Sequence, residues 1–181
     1  MIKKITIGLI TIIILFLAGY AYSAQLEKER IELRVKSLAG HNLFLLVTTY
    51  QEIESKFSNE TFNRESVSNI EDKLVEVKAY SIVADSIVGN DYLQTITSRF
   101  QDIFAHLEKS HTKMDLSKEQ IQELVEIKSM MKELIDVIYQ TYYDKSNDEG
   151  GSAELNIKDF SKVESLQKKI TEYYNQINKK S

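Results

Sequence analysis

Glu108 and His111 form the single Glu-x-x-His pair of the sequence, a spacing that metal sites on helices use. They lie three residues apart in "HLEKSH" and would share one helical face. Di-iron helical bundles use such a Glu-x-x-His pair, but they need a second pair and further glutamates from other helices. His41 does not supply one, because no acidic residue stands three positions before it. We therefore interpret the pair as surface residues at a helix end and predict no metal site and no cofactor.

Nucleophilic chemistry has equally little support. Serine precedes lysine by three residues at Ser110, Ser129 and Ser165, a spacing found in penicillin-binding enzymes. None of these serines has the accompanying motifs, and the chain contains no G-x-S-x-G, Gly-rich phosphate loop or H-E-x-x-H. The sequence therefore predicts no catalytic residue and a protein that is not an enzyme.

Aromatic side chains supply the candidate interaction surface. Tyrosines form two groups near the carboxyl ends of the last two predicted helices, and Phe44 lies in the apolar run "LAGHNLFLLV". If those helices pack together, the two groups are expected to share one region. In one interpretation the tyrosines form a platform for a wall sugar, a peptide or a partner protein. In the other, which we favour, they fill the rim of a bundle and their hydroxyls contact water. The candidate residues are Phe44, Tyr139, Tyr142, Tyr143, Tyr173 and Tyr174.

Long helices must position these residues, because the chain contains no proline and apolar residues recur at intervals of three and four. The pattern predicts helices over residues 25–56, 65–88, 92–110, 118–143 and 157–178. Ser117 is the expected cap of the fourth helix, and Asn90 or Asp91 that of the third, after a helix end at Gly89. Whether Gly40 breaks the first helix is left open. The predicted fold class is all-α, an elongated antiparallel bundle of four to five helices that follows an amino-terminal membrane helix.

The amino terminus resembles an export segment. Lys3 and Lys4 precede an uncharged run over residues 5–24, which is about as long as a spanning helix needs to be. A cleaved signal peptide is the alternative, but Tyr22 disturbs the small-residue triplet at the natural end of the run, so we favour a retained anchor. The predicted membrane segment includes Ile5, Leu9, Ile14, Phe16 and Leu17. The short tail before it favours a single span with the bulk of the chain outside the cytoplasmic membrane.

The predicted organisation has four parts: a signal anchor at 1–24, a helical bundle at 25–144, a flexible linker at 145–155 and a docked amphipathic helix at 156–181. The start of the bundle part, "QLEKERIELRVK", has a thin apolar stripe and is typical of a charged neck that either stands free or pairs with its own copy. In the linker, "DKSNDEGGSAE" has no apolar periodicity.

Charge and composition limit the partners. The formal net charge is −4, so no basic face is expected for nucleic acid, and no cysteine is present for disulfides or thiolate metal sites. The predicted partners are the membrane and another envelope protein or a second copy. The predicted function is protein–protein interaction, as a scaffold, accessory subunit or modulator of an envelope complex. The alternatives are a ligand-sensing ectodomain that signals through a partner membrane protein, or a secreted helical binding protein if the amino terminus is cleaved.

Overall fold

The computed structural model describes residues 2–59, 64–110, 118–144, 154–155 and 159–179. Side chains are described from Ile13 onward, except at 58–59, 64, 109–110, 118, 143–144 and 154–155. Two compact units are present. The first unit is Met1–Leu38 and the bundle unit is Ala39–Ser181.

Within these ranges the secondary structure consists of five helices and one two-stranded antiparallel sheet. The helices are α1 (Ile2–Asn59), α2 (Arg64–Val88), α3 (Tyr92–Ser110), α4 (Lys118–Tyr142) and α5 (Ser161–Lys179). Strands β1 (Tyr143–Asp144) and β2 (Glu154–Leu155) pair between α4 and α5, with Tyr143 opposite Leu155. The predicted helical bundle is confirmed, and the middle three helices begin and end within one residue of their predicted bounds.

Helix α1 includes the predicted anchor, the neck and the first bundle helix in one element. Gly40 lies inside it, and a Cβ added at Gly40 would meet no atom within 4 Å. A single glycine costs a helix only about 1 kcal/mol relative to alanine, which flanking turns can offset. Helix α1 is therefore not interrupted at Gly40.

The core of the bundle unit is built from the apolar rows visible in the sequence. On α2 and α3 the apolar residues that recur at intervals of three and four are each at most 1% exposed: Val67, Ile70, Leu74, Val77, Leu93, Ile96, Phe100, Ile103 and Leu107. On α4 the recurring apolar row begins at Ile121, which is 50% exposed, and burial begins only at Leu124. The period of three and four therefore located the core, but not the point where the row on α4 enters it.

Side-chain contacts between helices define their directions. Tyr50 and Phe57 of α1 meet Phe100 and Phe104 of α3, so α1 and α3 run parallel. Helices α2 and α3 are antiparallel, because the chain reverses tightly at Gly89 between them. Gly89 has a φ of 82°, which suits glycine, and its N–H donates to Asp85 O at 2.7 Å. Chain neighbours within the bundle unit therefore alternate in direction.

Helix α5 packs on both α3 and α4 through four buried residues, Val163, Leu166, Ile170 and Ile177. It begins at Ser161, four residues later than predicted, where Asp159 accepts a hydrogen bond from the Ser161 N–H at 2.9 Å. The bond from the Ser161 hydroxyl, together with that from the Ser161 N–H, favours the charged form of the exposed Asp159 and holds its pKa below the ordinary value. Most of the predicted linker and the predicted cap Ser117 lie outside the described residues, and residues 154–155 of the linker form β2.

The predicted membrane helix corresponds to the beginning of α1. Among the residues with described side chains, no helix is both long enough and apolar enough to cross a membrane. Ile14, Phe16 and Leu17 are exposed, at 59%, 77% and 59%. The side chains of Ile5 and Leu9 lie outside the described set.

Candidate functional site

The two tyrosine groups lie at opposite ends of the α4–α5 pair. Lys162 Nζ donates to Gln140 Oε1 at 2.6 Å and the Tyr173 hydroxyl donates to Glu123 O at 3.4 Å, so these helices are antiparallel. Tyr142 and Tyr173 are consequently separated by about 19 residues of α4, or roughly 28 Å. The expectation that all five rings share one region is wrong, because antiparallel packing brings the carboxyl end of one helix to the amino end of the other.

The group on α4 offers little accessible surface. Tyr142 is fully buried, with its ring 5.8 Å from that of Phe160, and so it does not belong to a surface in the folded chain. Tyr139 is 37% exposed. The side chain of Tyr143 lies outside the described set, while its backbone forms β1. Tyr139 remains the accessible candidate of this group.

The group on α5 is half-buried between helices. The guanidinium of Arg99 lies 5.0 Å from the centre of the Tyr174 ring and also pairs with Asp102 at 3.0 Å, so Tyr174 joins α5 to α3. Tyr173 instead lines a groove between α4 and α5. Burial raises the pKa of the Tyr173 hydroxyl well above its ordinary range, and the nearby Glu126 and Glu123 add to the shift.

This groove has a volume of about 490 Å³ and is lined by Tyr173 and by Glu119, Glu123 and Glu126, among others. A second depression of about 330 Å³ shares Glu126 and Tyr173 with it and adds Lys169 and Glu172. Lys169 pairs with Glu133 across the helices. The charged residues that line the larger groove are all acidic and lie around one aromatic ring, an arrangement that suits positively charged groups better than anions.

Phe44 is 60% exposed, although its apolar run is otherwise largely covered. Leu43 and Leu46 are fully buried, Val47 is 2% exposed and Leu45 is half-buried. The buried residues of the run therefore lie on one side of α1, and the ring of Phe44 remains on the outer side. Phe44 is the most exposed aromatic side chain in the described part of the bundle unit.

The first unit presents apolar side chains without a core. Every described side chain from Ile13 to Leu38 is exposed. After the predicted membrane segment these include Leu26, Ile31, Leu33, Val35 and Leu38, at 39%, 54%, 67%, 40% and 51%. Exposed rows of this kind mark surfaces that bind protein or lipid.

Asp85 forms a buried polar site that sequence reasoning missed. Its side chain is 2% exposed and accepts the backbone N–H groups of Gln94 at 2.8 Å and Leu93 at 3.4 Å, so it caps α3 from the last turn of α2. Burial raises the pKa of Asp85 to about 6, although the two N–H bonds oppose the shift. The expected caps play lesser parts: Asn90 Oδ1 accepts only the Tyr92 N–H at 3.4 Å, and the carbonyl of Asp91 accepts the Thr95 N–H.

The hydroxyl of Tyr142 lies near Asp85 and Asn90. Burial raises its pKa well above the ordinary range, and the charge of Asp85 adds to the shift. The Asn90 side chain interacts with this hydroxyl and lowers its pKa, but among the described residues neither Tyr142 Oη nor Asn90 Nδ2 meets hydrogen-bond geometry with any partner. A buried carboxyl and two unsatisfied polar atoms therefore lie together where α2 ends and α3 begins.

A second buried polar cluster joins three helices. The Tyr50 hydroxyl lies 2.9 Å from Thr97 Oγ1, which lies 3.0 Å from Ser81 Oγ. Thr97 donates to Leu93 O and Ser81 to Val77 O, both at 2.8 Å, so Tyr50 supplies the proton of its bond to Thr97. Burial raises the pKa of Tyr50 far above its ordinary range. The cluster links α1, α2 and α3, and no sequence motif predicts it.

The metal-like pair is described only in part. Glu108 lies half-buried on α3, whereas His111 falls outside the described residues, and His41 is exposed on α1. In the described portion of the chain, no group of three or more histidines and carboxylates could hold a metal ion.

No protein-family model, no curated protein and no solved structure matches this chain.

Proposed function

We propose that the protein is a membrane-tethered, extracytoplasmic helical bundle that acts by protein–protein interaction, as a scaffold, accessory subunit or modulator of an envelope complex. The observation that carries this proposal is the exposure of large apolar side chains along α1, from Ile13 through Leu38 and again at Phe44. In the bundle unit, by contrast, apolar rows of all five helices form one shared core. A helical bundle that acts alone in water does not need exposed apolar side chains along its first helix.

The tether is supported by residues at the start of α1. Lys3 and Lys4 precede the uncharged run at 5–24, and Ile14, Phe16 and Leu17 in that run are each more than half exposed. Burying such side chains in lipid is favourable by about 25 cal/mol for each Å² removed from water. A lipid environment therefore supplies the burial that this part of the chain lacks.

The tether is tested by intact mass and amino-terminal sequencing of the native protein, taken separately from membranes and from culture fluid. A full-length chain in the membrane fraction is expected. A chain that begins near residues 22–24 and is released to the medium would contradict the tether and favour a secreted binding protein.

The interaction is tested with a photoreactive residue in place of Phe44, in cells, with the same residue in place of Lys132 as the matched control. Lys132 is exposed on α4 and lies outside the apolar surface of α1. Position 44 is expected to capture a specific envelope protein that position 132 does not. Capture of the same proteins at both positions, or of none at position 44, would contradict a partner surface around Phe44.

The groove beside Tyr173 favours a second function, a ligand-sensing ectodomain that signals through a partner membrane protein. Its volume of about 490 Å³ lies within the range of small-molecule sites. A thermal-shift screen of cationic envelope metabolites tests it, with Glu126→Gln as the variant expected to lose any shift. If no compound stabilises the unaltered protein, this second function is excluded for that ligand class.

A further inference from the structure

Eight residues of the first helix follow one heptad row. Counting from Ile14, they alternate by three and four residues and occupy the two core positions of a coiled coil: Ile14, Leu17, Ala21, Ala24, Lys28, Ile31, Val35 and Leu38. The row extends for three and a half heptads, about the length at which a sustained pattern indicates helix pairing rather than chance. The partner indicated by this spacing is another long helix.

The large side chains of this row are accessible in a single chain. Ile14, Leu17, Ile31 and Val35 are 59%, 59%, 54% and 40% exposed. Leu26 and Leu33 are also exposed, but they lie on the opposite side of the helix, and Glu29 and Arg30 occupy the positions between them. Only the first of these two faces continues as an apolar row.

Charge indicates that the partner carries the same row. Lys28 is the single charged residue in the row, and the adjoining flank positions are held by two acids, Glu27 and Glu32. In a parallel pair of identical helices, Glu27 of each chain lies beside Lys28 of the other and offsets the repulsion between the two facing lysines. Glu32 pairs with Lys36 of its own chain. A single lysine at a core position costs stability but specifies register and oligomeric state.

We propose that two copies of this chain pair in parallel through the row from Ile14 to Leu38, with Lys28 setting the register. The inference rests on the proposed function in one respect, because a shared membrane tether orients both copies alike. The pair is isologous: Ile31 meets Ile31 of the second copy and Val35 meets Val35. Phe44 remains available to a different protein, so self-pairing and partner binding use separate surfaces.

Single cysteines test the pairing in the full chain, which has none of its own. Val35→Cys is placed in the row and Leu33→Cys on the opposite face, and each protein is oxidised mildly in native membranes. Val35→Cys is expected to form a disulfide-linked species of twice the chain mass of 20.9 kDa. Leu33→Cys should remain monomeric although Leu33 is the more exposed side chain, at 67% against 40%.

Three results would overturn the proposal: equal linkage at both positions, linkage at neither, or linkage of Val35→Cys to a protein of another mass. An antiparallel pair would hold the two introduced thiols of Val35→Cys far apart and fail in the same way. Linkage at Val35→Cys without any capture at position 44 would retain the pairing and reject the envelope partner, so the two failures are distinguishable.

The role of Lys28 in setting the register is tested separately, by measuring the self-association constant of the chain in detergent. Lys28→Leu is expected to tighten association by about tenfold, and Lys28→Glu to weaken it by at least about tenfold, because carboxylates then face carboxylates. Arg30→Glu, which introduces the same acid outside the row, is the control and should change association less than about twofold. Equal effects of the two glutamate variants would reject the assigned register.

Discussion

The two units of this chain differ in what covers their apolar side chains. From Ile13 to Leu38 every described side chain is exposed, whereas the bundle unit buries apolar residues from all five helices in a shared core. A helix without tertiary contacts has only its intrinsic propensity and local ion pairs such as Glu32–Lys36 to hold it. The comparison teaches that the bundle unit covers its own apolar side chains, whereas those of the first unit remain exposed in a single chain.

The largest test of this difference compares Phe100→Ala with Ile31→Ala. Phe100 is fully buried with its ring 6.0 Å from that of Tyr50, so its truncation should lower the free energy of unfolding by about 3–5 kcal/mol. At concentrations too low for self-association, Ile31→Ala should change it by less than about 0.5 kcal/mol. Urea unfolding of the full chain in detergent measures both. A comparable loss from Ile31→Ala would mean that the first unit belongs to the same cooperative core.

A second test uses the carboxyl group of Asp85, which is buried in the bundle unit; no described residue of the first unit is buried. The pKa of Asp85 is raised from 3.8 to about 6, so between these pH values the unfolded chain ionises first and the free energy of unfolding falls as pH rises. The loss should reach up to about 3 kcal/mol above pH 6 and be absent below pH 3.8.

Asp85→Asn should flatten this pH dependence, because its amide oxygen still accepts the Gln94 N–H and no charge forms. Asp136→Asn, an exposed site on α4, is the matched control and should leave the slope unchanged. Unfolding curves between pH 4 and pH 7 provide the measurement. Persistence of the full slope in Asp85→Asn would assign the pH dependence to other groups.

The bundle unit also contains two fully buried tyrosines in opposite situations. The Tyr50 hydroxyl is hydrogen-bonded to Thr97, whereas the Tyr142 hydroxyl has no partner within the described structure. Tyr50→Phe should therefore lower the free energy of unfolding by about 1.5 kcal/mol, while Tyr142→Phe should raise it by about 1 kcal/mol. Chemical denaturation of both variants checks the opposite signs, and destabilisation by Tyr142→Phe would indicate a hydrogen bond to that hydroxyl.

The smallest expected effects come from two glycines. Gly89→Ala places a side chain at a φ of 82° and should lower the free energy of unfolding by about 1 kcal/mol. Gly40→Ala lies inside α1 with open space around the added Cβ, and should raise helix stability by about 0.5–1 kcal/mol. Thermal unfolding followed by circular dichroism measures both, and a loss in Gly40→Ala would indicate a close contact at that face.

Local patterns predicted most of the architecture. The rows on α2 and α3 are buried as expected, and Gly89 ends α2 where predicted, because both features depend on helical period and backbone preference. The positions of the candidate site residues were predicted less accurately. Tyr142 is in the core and Tyr173 lies at the far end of the bundle. The side-chain cap of α3 comes from Asp85, while of the predicted caps Asn90 and Asp91 the latter contributes its backbone carbonyl. Each of these outcomes depends on which helix lies opposite, which spacing along one helix does not encode.

The sequence by itself determined that this chain is helical, where its helices reverse and which side of each helix is apolar, because these properties follow from residues within a few turns of one another. Only the tertiary structure decided that α4 and α5 separate the tyrosine groups, that Asp85 is buried with a raised pKa and that the ring of Phe44 remains outside. Those properties depend on contacts between residues far apart in the chain, where burial, hydrogen bonding and charge are set by the neighbour that packing provides.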